Sequence, residues 1–235
     1  MTILGIETST MTGSIALMDE ERLIAEYTLN LRETHSSRLM PAIDRILKDA
    51  SLTIKDLNGI AVSLGPGSFT GLRIGIATAK GLAQGLDIPI VGIPTLDGLA
   101  FNLSHCKDLI CPILDARKGE VYCALYKNGK RLTKYMACEL GELLKKVKSK
   151  VRSPKSKVVF LGDGIEICGE LIKKRLGKKA IFISKSRRLP NASSIAELGL
   201  KKFPPKADQP LAEKRSKKSE LPTLRPIYVR APVGK

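Results

Sequence analysis

The 235-residue chain contains no tryptophan, and aromatic residues make up only 4% of it. A base-stacking nucleic-acid platform needs exposed rings, so this scarcity counts against one. Histidine is nearly absent too. The two that occur, His35 and His105, leave most histidine-based metal chemistry without ligands. His35 has Leu39, not a second histidine, one helical turn on. The cysteines (Cys106, Cys111, Cys123, Cys138 and Cys168) are odd in number and form no CxxC pair. They read as free thiols in a reducing cytosol, not as a disulfide framework or a zinc knuckle. No run of eighteen uncharged apolar residues occurs, so no membrane span is expected. The opening MTILGIETST lacks a basic n-region and reads directly as a strand, so no signal peptide is expected.

What remains is ordinary for a globular chain: 43% hydrophobic and 27% charged residues. That is enough for a core in one large domain or two smaller ones. The charge is unevenly placed. Residues 1–105 hold 8 Lys/Arg against 11 Asp/Glu, whereas residues 106–235 hold 32 against 12. The net charge of +17 therefore sits entirely in the second half. A basic half attracts polyanions, RNA first among them; a lysine-rich solvated surface is the competing reading.

The first half reads as strands over 2–9, 13–20 and 22–30, a helix over 34–50, a strand at 59–64, a helix at 71–85, a strand at 88–93 and a helix from 94. Leu39, Ile43, Ile46, Leu47 and Ala50 give the first helix its apolar stripe, Thr34 or Ser36 can cap it, and Pro41 implies a kink or a late start. The second half repeats the order: strands over 109–117, 120–127 and 131–139, a helix over 140–151, a strand at 157–164, a helix at 165–176, a strand at 180–184 and a last helix over 191–203. Two βββαβαβα units are predicted, each with a partly parallel sheet, bounded as 1–105 and 106–203. Residues 204–222 read as a basic linker rich in Pro, Lys, Ser and Glu; Leu224 to Val233 regain strand character and are expected to dock back on the folded body.

The strongest local signal is SLGPGSFTGLRIG, from Ser63 to Gly75. A buried strand enters a glycine-rich turn and then a helix. Gly65, Gly67 and Gly71 permit close approach of a ligand, Ser68 and Thr70 add hydroxyls, and the helix start presents free N–H groups. A phosphate loop and a compact strand-to-helix turn capped by serine both fit. Three named motifs do not. A P-loop needs a Gly-Lys pair, a nucleophile elbow needs GxSxG, and a dinucleotide loop needs glycine where Thr70 stands. The second signal is GIETST, Gly5 to Thr10, at the end of the first strand; Asp115 holds the equivalent place in the second repeat, and LGDG (161–164) echoes the glycine loop.

Together, IETST, THSSRLMP, SLGPGSFTGLRIGIATAKGLA, IPIVGIPTLDGLA and the terminal PIYVR closely resemble the TsaB (YeaZ) family. The resemblance is dense over residues 2–105, looser over 106–203 and lost over 204–222. It implies an α/β chain of the actin/Hsp70/sugar-kinase fold, which is two copies of the repeat inferred above. It implies a cytoplasmic, non-catalytic role in making threonylcarbamoyladenosine beside the anticodon of tRNA. The implied partners are TsaD, the larger paralogue that transfers the threonylcarbamoyl group, and the ATPase TsaE. TsaD-like sequences carry two metal-binding histidines at the places of Thr95 and Leu99, and an acid at the place of Met11. With those groups missing, no catalytic residue and no metal ligand are expected. Gly65, Gly67, Ser68, Thr70, Gly71 and Arg73 remain as a phosphate-loop-like set, with ATP or ADP expected at most at low affinity or at the complex interface. The implied partner surface is His35, Ser36, Leu39, Met40, Ile43 and Leu72; Met40 lies off the core stripe. The same surface implies a homodimer when the chain is alone and a heterodimer with TsaD.

Two other classes stay open on the residues alone. A small kinase or ATPase would use Glu7 and Asp115, though 235 residues leave little room for the segments that place a base. A stand-alone RNA module would use three lysine and arginine clusters: Lys145 to Lys157, Lys173 to Lys179, and Lys214 to Lys218. A peptidase, an older idea for relatives, lacks both an HxxxH pair and a nucleophile elbow here.

Overall fold

A computed structural model describes residues 1–30, 35–203 and 223–229. Thr34, the basic segment 204–222 with its cluster around Lys214, and residues 230–235 lie outside the described residues. The chain divides into two compact units, Met1–Gly98 with Pro190–Ile227, and Leu99–Leu189 with Tyr228–Lys235.

The first unit is built on β1 (Ile3–Glu7), β2 (Thr12–Met18), β3 (Leu23–Asn30), β4 (Gly59–Ser63) and β5 (Ile90–Ile93), in the order β3-β2-β1-β4-β5. β1 and β3 pair antiparallel with β2, and β1, β4 and β5 run parallel. Helix α1 (His35–Asp49) connects β3 to β4, and α2 (Phe69–Leu86) connects β4 to β5. Pro41 stands inside α1 and does not end it. Strand alternation assigns the two faces of this sheet. Leu4, Ile6, Ile15, Leu17, Ile60, Val62 and Ile90 face α1 and α2, where they meet Leu39, Ile43, Ile46 and Ile76. Ile3, Ala61, Val91 and Ile93 face the other way, onto Ile195 and Ala196.

Those two residues belong to α6 (Ala192–Leu200), the last helix in the chain among the described residues. Its placement corrects the expected 106–203 boundary. The chain returns at Pro190, and α6 covers the first sheet. The physical reason lies in glycine. A Cβ on Gly5 would stand 2.5 Å from the Ala192 carbonyl oxygen, and one on Gly199 would stand 2.4 Å from Ala61 Cβ. Helix and sheet approach to backbone contact, which only paired small residues allow. Polar bonds fix the helix start: Ser14 Oγ accepts from Ala192 N–H (3.1 Å), and Glu26 accepts from Ser193 N–H (2.8 Å). In the described part of the tail, Leu224 is buried in the first core, and Ile227 N–H donates to the Leu64 carbonyl at 2.7 Å; residues 230–233 of the expected tail lie outside the described residues.

The second unit repeats the design with β6 (Leu109–Asp115), β7 (Glu120–Cys123), β10 (Met136–Glu139), β11 (Val158–Leu161) and β12 (Ala180–Phe182), in the order β10-β7-β6-β11-β12. Helices α4 (Leu140–Lys150) and α5 (Ile165–Leu176) cover one face. Leu143, Val147, Phe160 and Ile172 are fully buried there, each stabilising by roughly 1.5–3 kcal/mol on transfer from water. One difference from expectation is local. The strands expected at 120–127 and 131–139 each break, leaving the short pair β8 (Tyr126–Lys127) and β9 (Lys130–Arg131). Asn128 and Gly129 both adopt positive φ (51° and 71°), the geometry of a two-residue hairpin, and they force that extra ribbon. All five cysteines are free and four are buried; Cys123 and Cys138 bring their sulfurs to 3.7 Å across β7 and β10.

Candidate functional site

The glycine loop joins the end of β4 to the start of α2, and several of its polar groups bond inward. Gly65 takes φ +96°. Its N–H donates to Thr95 Oγ1 (3.1 Å), and its carbonyl accepts from Thr95 N–H (2.8 Å). A Cβ on Gly67 would lie 2.3 Å from the Ser9 carbonyl oxygen, so the loop rests directly on the end of the GIETST segment. Ser68 N–H donates to that same oxygen at 2.6 Å. Ser68 Oγ then caps α2 by accepting from Gly71 N–H (3.3 Å), and the Gly71 carbonyl accepts from Thr8 Oγ1 (2.8 Å). The loop is a latch holding β1, β4, α2 and Thr95 together. Gly65 and Gly71 are buried within it, Gly67 is half-buried, and Ser68, Thr70 and Arg73 are exposed. The Arg73 guanidinium stacks on the Phe69 ring, 3.7 Å from its centroid.

Glu7, at the end of β1, is buried and accepts from Ser9 N–H at 2.6 Å. Its counterpart Asp115 is engaged locally, accepting from Arg117 N–H at 2.7 Å. Asp115 N–H in turn donates to Asp163 of the LGDG loop (3.0 Å). Burial pushes the Asp163 carboxyl above the usual carboxylate range, against the opposing pull of that bond. Among the described residues, no group of three or more His, Cys, Asp or Glu side chains is placed to hold a metal ion.

The expected partner surface divides into two sets. Leu39, Ile43 and Leu72 are buried (7%, 1% and 1% exposed) and belong to the packing beneath the helices. As directly exposed contacts they are corrected: sheet burial claims that stripe. Ser36 is exposed and Met40 is 45% exposed, so Met40 is not a core residue. His35 begins α1, and its side chain lies outside the described residues. On α2, Phe69, Thr70, Arg73, Ala77 and Gly81 are exposed. Helices α1 and α2 pack against each other, and both carry exposed residues, Met40 on α1 and these on α2.

Sequence reading missed an apolar groove beside α1. Met11, Ile15, Tyr27, Leu29, Leu39 and Ala42 line it, between β2, β3 and the first half of α1. Met11 and Leu29 are 50% and 42% exposed. The signal was present: Tyr27 and Leu29 are two residues apart in a strand and share a side.

Comparison with known proteins assigns the family. Residues 22–233 match the family described as "TsaD: tRNA N6-adenosine threonylcarbamoyltransferase". The chain is 42% identical over 206 residues to the tRNA threonylcarbamoyladenosine biosynthesis protein TsaB of Bacillus subtilis, covering 86% of this chain and 88% of that one. It is 35% identical over 196 residues to the TsaB of Buchnera aphidicola subsp. Schizaphis graminum, covering 82% and 90%. Among solved structures, YeaZ from Pseudomonas aeruginosa superimposes with a TM-score of 0.71 at 26% identity, covering 97% of this chain and 99% of that one. Component A of the Acidaminococcus fermentans (R)-2-hydroxyglutaryl-CoA dehydratase shares the fold alone, with a TM-score of 0.52 at 12% identity, covering 86% and 98%. The architecture is that of the actin/Hsp70/sugar-kinase class. Motifs, duplicated fold and relatives converge on one assignment: the chain belongs to the TsaB (YeaZ) family.

Proposed function

We propose that the chain is a non-catalytic subunit of the complex that forms threonylcarbamoyladenosine in tRNA, acting as scaffold and activator of a TsaD-type catalytic subunit. The names of its relatives supply the pathway. The observation that carries the division of labour is Thr95. Where TsaD-like sequences are expected to hold a metal-binding histidine, this chain holds a buried threonine whose hydroxyl accepts from the glycine loop, with Leu99 fully buried one turn later. Both positions serve packing. The glycine loop supports the same reading, because the N–H groups of Gly65, Ser68, Gly71 and Leu72 are engaged internally. Nucleotide at Gly65, Gly67, Ser68, Thr70, Gly71 and Arg73 is therefore expected to bind weakly, or only once a partner completes the site.

The partner surface is the exposed face of α1 and α2, centred on Met40, with His35 and Ser36 at its start and Leu39, Ile43 and Leu72 as its support. An exposed apolar side chain on a two-helix face fits pairing with the corresponding helices of a paralogue, or with a second copy when the paralogue is absent. TsaE joins as the third protein, and tRNA is reached through the complex. Among the described residues no helix is long and apolar enough to cross a membrane, which fits action in the cytoplasm.

Reconstitution tests the proposal. The chain and a TsaD-type paralogue, together with TsaE and the threonylcarbamoyl adenylate, should modify tRNA, and omission of this chain should lower the rate at least tenfold. The chain alone should neither turn over ATP nor modify tRNA. Steady ATP turnover by the chain alone, abolished by Glu7→Ala, would establish the kinase-like alternative instead.

A further inference from the structure

The two units share one topology but differ in what stands at one edge. In each, both face-covering helices run antiparallel to the parallel strands, so their C-termini collect where those strands begin. In the first unit that edge is mixed. Around the end of α1 lie Arg45, Lys48 and Lys55 against Asp44, Asp49 and Asp56, and after α2 comes Asp87. Arg45 pairs with Asp49 (3.0 Å), and Lys48 with Asp44 (2.7 Å).

In the second unit the same edge is overwhelmingly cationic, with Asp108, just before β6, as its acid. Lys148, Lys150, Arg152, Lys155 and Lys157 close α4 and lead into β11; Lys173, Lys174, Arg175, Lys178 and Lys179 close α5 and lead into β12. No Asp or Glu occurs between Glu142 and Asp163, or between Glu170 and Glu197. The fold joins the two runs. Lys179 Nζ donates to the Val151 carbonyl at 3.0 Å, tying the end of α5 to the end of α4, and β11 pairs with β12 from Val158 and Ala180 onward. All ten side chains are exposed except Lys179, which is half-buried.

Helix ends do not account for this. A cation or two near a C-terminus balances the helix dipole. The first unit closes two equivalent helices with mixed charge, so the topology makes no demand for ten cations. Nor does a folded protein partner fit well, since such docking needs a buried apolar centre, and the edge residues named above are polar and charged throughout. The charge density fits nucleic acid, whose backbone carries closely spaced phosphates and no compensating cation of its own. Without aromatics or a planned set of base-reading side chains, contact is to phosphate and not to base edges.

We propose that this edge of the second unit, gathered from the ends of α4 and α5, is a phosphate-backbone docking surface for RNA. It binds without sequence preference and adds affinity to whatever partner reads the RNA. The choice of tRNA as that RNA rests on the function proposed above; binding of RNA as such does not.

The test is fluorescence anisotropy with the full chain, titrating labelled tRNA and an unrelated RNA hairpin of equal length at several salt concentrations. Both RNAs should bind with similar affinity, weakening steeply with salt. Joint replacement Lys148→Gln, Lys150→Gln, Lys155→Gln, Lys173→Gln and Lys178→Gln should weaken binding at least tenfold at low salt. It should also flatten the plot of log affinity against log salt by roughly 0.7–0.9 for each phosphate no longer neutralised. Lys48→Gln with Lys55→Gln at the first unit's edge should change neither. An unchanged affinity and slope in the five-fold variant, at unchanged thermal stability, would overturn the proposal. So would full loss on neutralising Lys214, Arg215, Lys217 and Lys218 alone. Tighter binding of poly-glutamate than of RNA at matched charge would make the occupant an acidic protein and overturn it too. If the hairpin binds as proposed and tRNA does not, the pathway reading fails while phosphate docking stands.

Discussion

The first unit keeps its interactions local and its charge balanced, while the second turns the same arrangement of strands and helices outward as a cationic edge. The strand orders β3-β2-β1-β4-β5 and β10-β7-β6-β11-β12 correspond strand for strand. Their glycine loops correspond too: Gly65 and Gly162 both take positive φ (96° and 108°), and each loop presses on the end of the neighbouring strand, at Ser9 in one and Ile113 in the other. What differs is the filling. Pro66 in the first loop stands where Asp163 stands in the second. The first loop bonds to Thr8, Ser9 and Thr95; the second bonds to Asp115 and Ile113. One scaffold, duplicated, thus supplies two surfaces of different chemistry: an α1–α2 face carrying Met40 and Phe69, and an edge dominated by lysine and arginine. Topology fixes where helix ends fall, and side chains decide what those ends meet.

The comparison can be broken most sharply in the cores. Leu143→Ala in the second unit and Ile46→Ala in the first each remove a fully buried side chain, and each should cost about 2–5 kcal/mol in chemical denaturation. A cost below about 1 kcal/mol in one of them would mean that its unit is not packed as described. Next comes the helix that only the first unit acquires from the far end of the chain. Gly5→Val places carbon against the Ala192 carbonyl, a backbone atom that cannot rotate away, so a loss of roughly 1–3 kcal/mol is expected by the same measurement.

Smaller effects sharpen the loop comparison. The Asp163 carboxyl is held above its ordinary range by burial, with the Asp115 N–H acting in the opposite direction. A raised folded-state value means that the native protein holds this proton more tightly than the unfolded chain does. Its contribution to stability is therefore fully present below the ordinary carboxylate value and is lost as pH rises through the folded one. Asp163→Asn keeps an acceptor for Asp115 N–H and removes the titration. It should leave stability at neutral pH equal or slightly raised and, by removing a group that gains stability as pH falls, steepen the loss of stability toward acid. A markedly less stable Asn variant at neutral pH would show that the charge itself is needed. The smallest effect is kinetic. Burial pushes Cys168 up to about 11 and Cys111 well above its ordinary value, while the Cys123 contact holds Cys138 down; since all four of these thiols are buried, alkylation of the native chain should begin at half-buried Cys106 and reach the other four on unfolding.

Much of this was legible in the sequence because periodicity reports burial directly. The short apolar run of Ile3, Leu4, Gly5 and Ile6, buried on both faces, and the stripe of Leu39, Ile43 and Ile46 have one stable reading each. Their strand and helix assignments agree with the structure to within a few residues. The affiliation of α6 was not legible, because ASSIAELGL is an apolar helix that suits either sheet. Only the three-dimensional match of Gly199 with Ala61 and of Gly5 with Ala192 decides it. The hairpin of β8 and β9 was written in Asn128-Gly129, a turn signal that the longer strand patterns on either side obscured. The glycine loop was found by its spacing, but spacing does not reveal that the Gly65 N–H turns inward; that depends on Thr95, far along the chain from Gly65. The gathering of two lysine runs into one edge required the parallel order of β11 and β12, which composition does not carry.

The central claim is that the α1–α2 face of the first unit binds a TsaD-type paralogue. Its most direct test is the dissociation constant of that pair, measured by isothermal titration calorimetry, for the parent chain and for Met40→Asp. Met40 is 45% exposed, so the substitution should alter folding stability by no more than about 0.5 kcal/mol. At an interface it would bury an unpaired carboxylate, which should weaken association a hundredfold or more. A folded Met40→Asp variant that binds the paralogue with the parent's affinity would contradict the account.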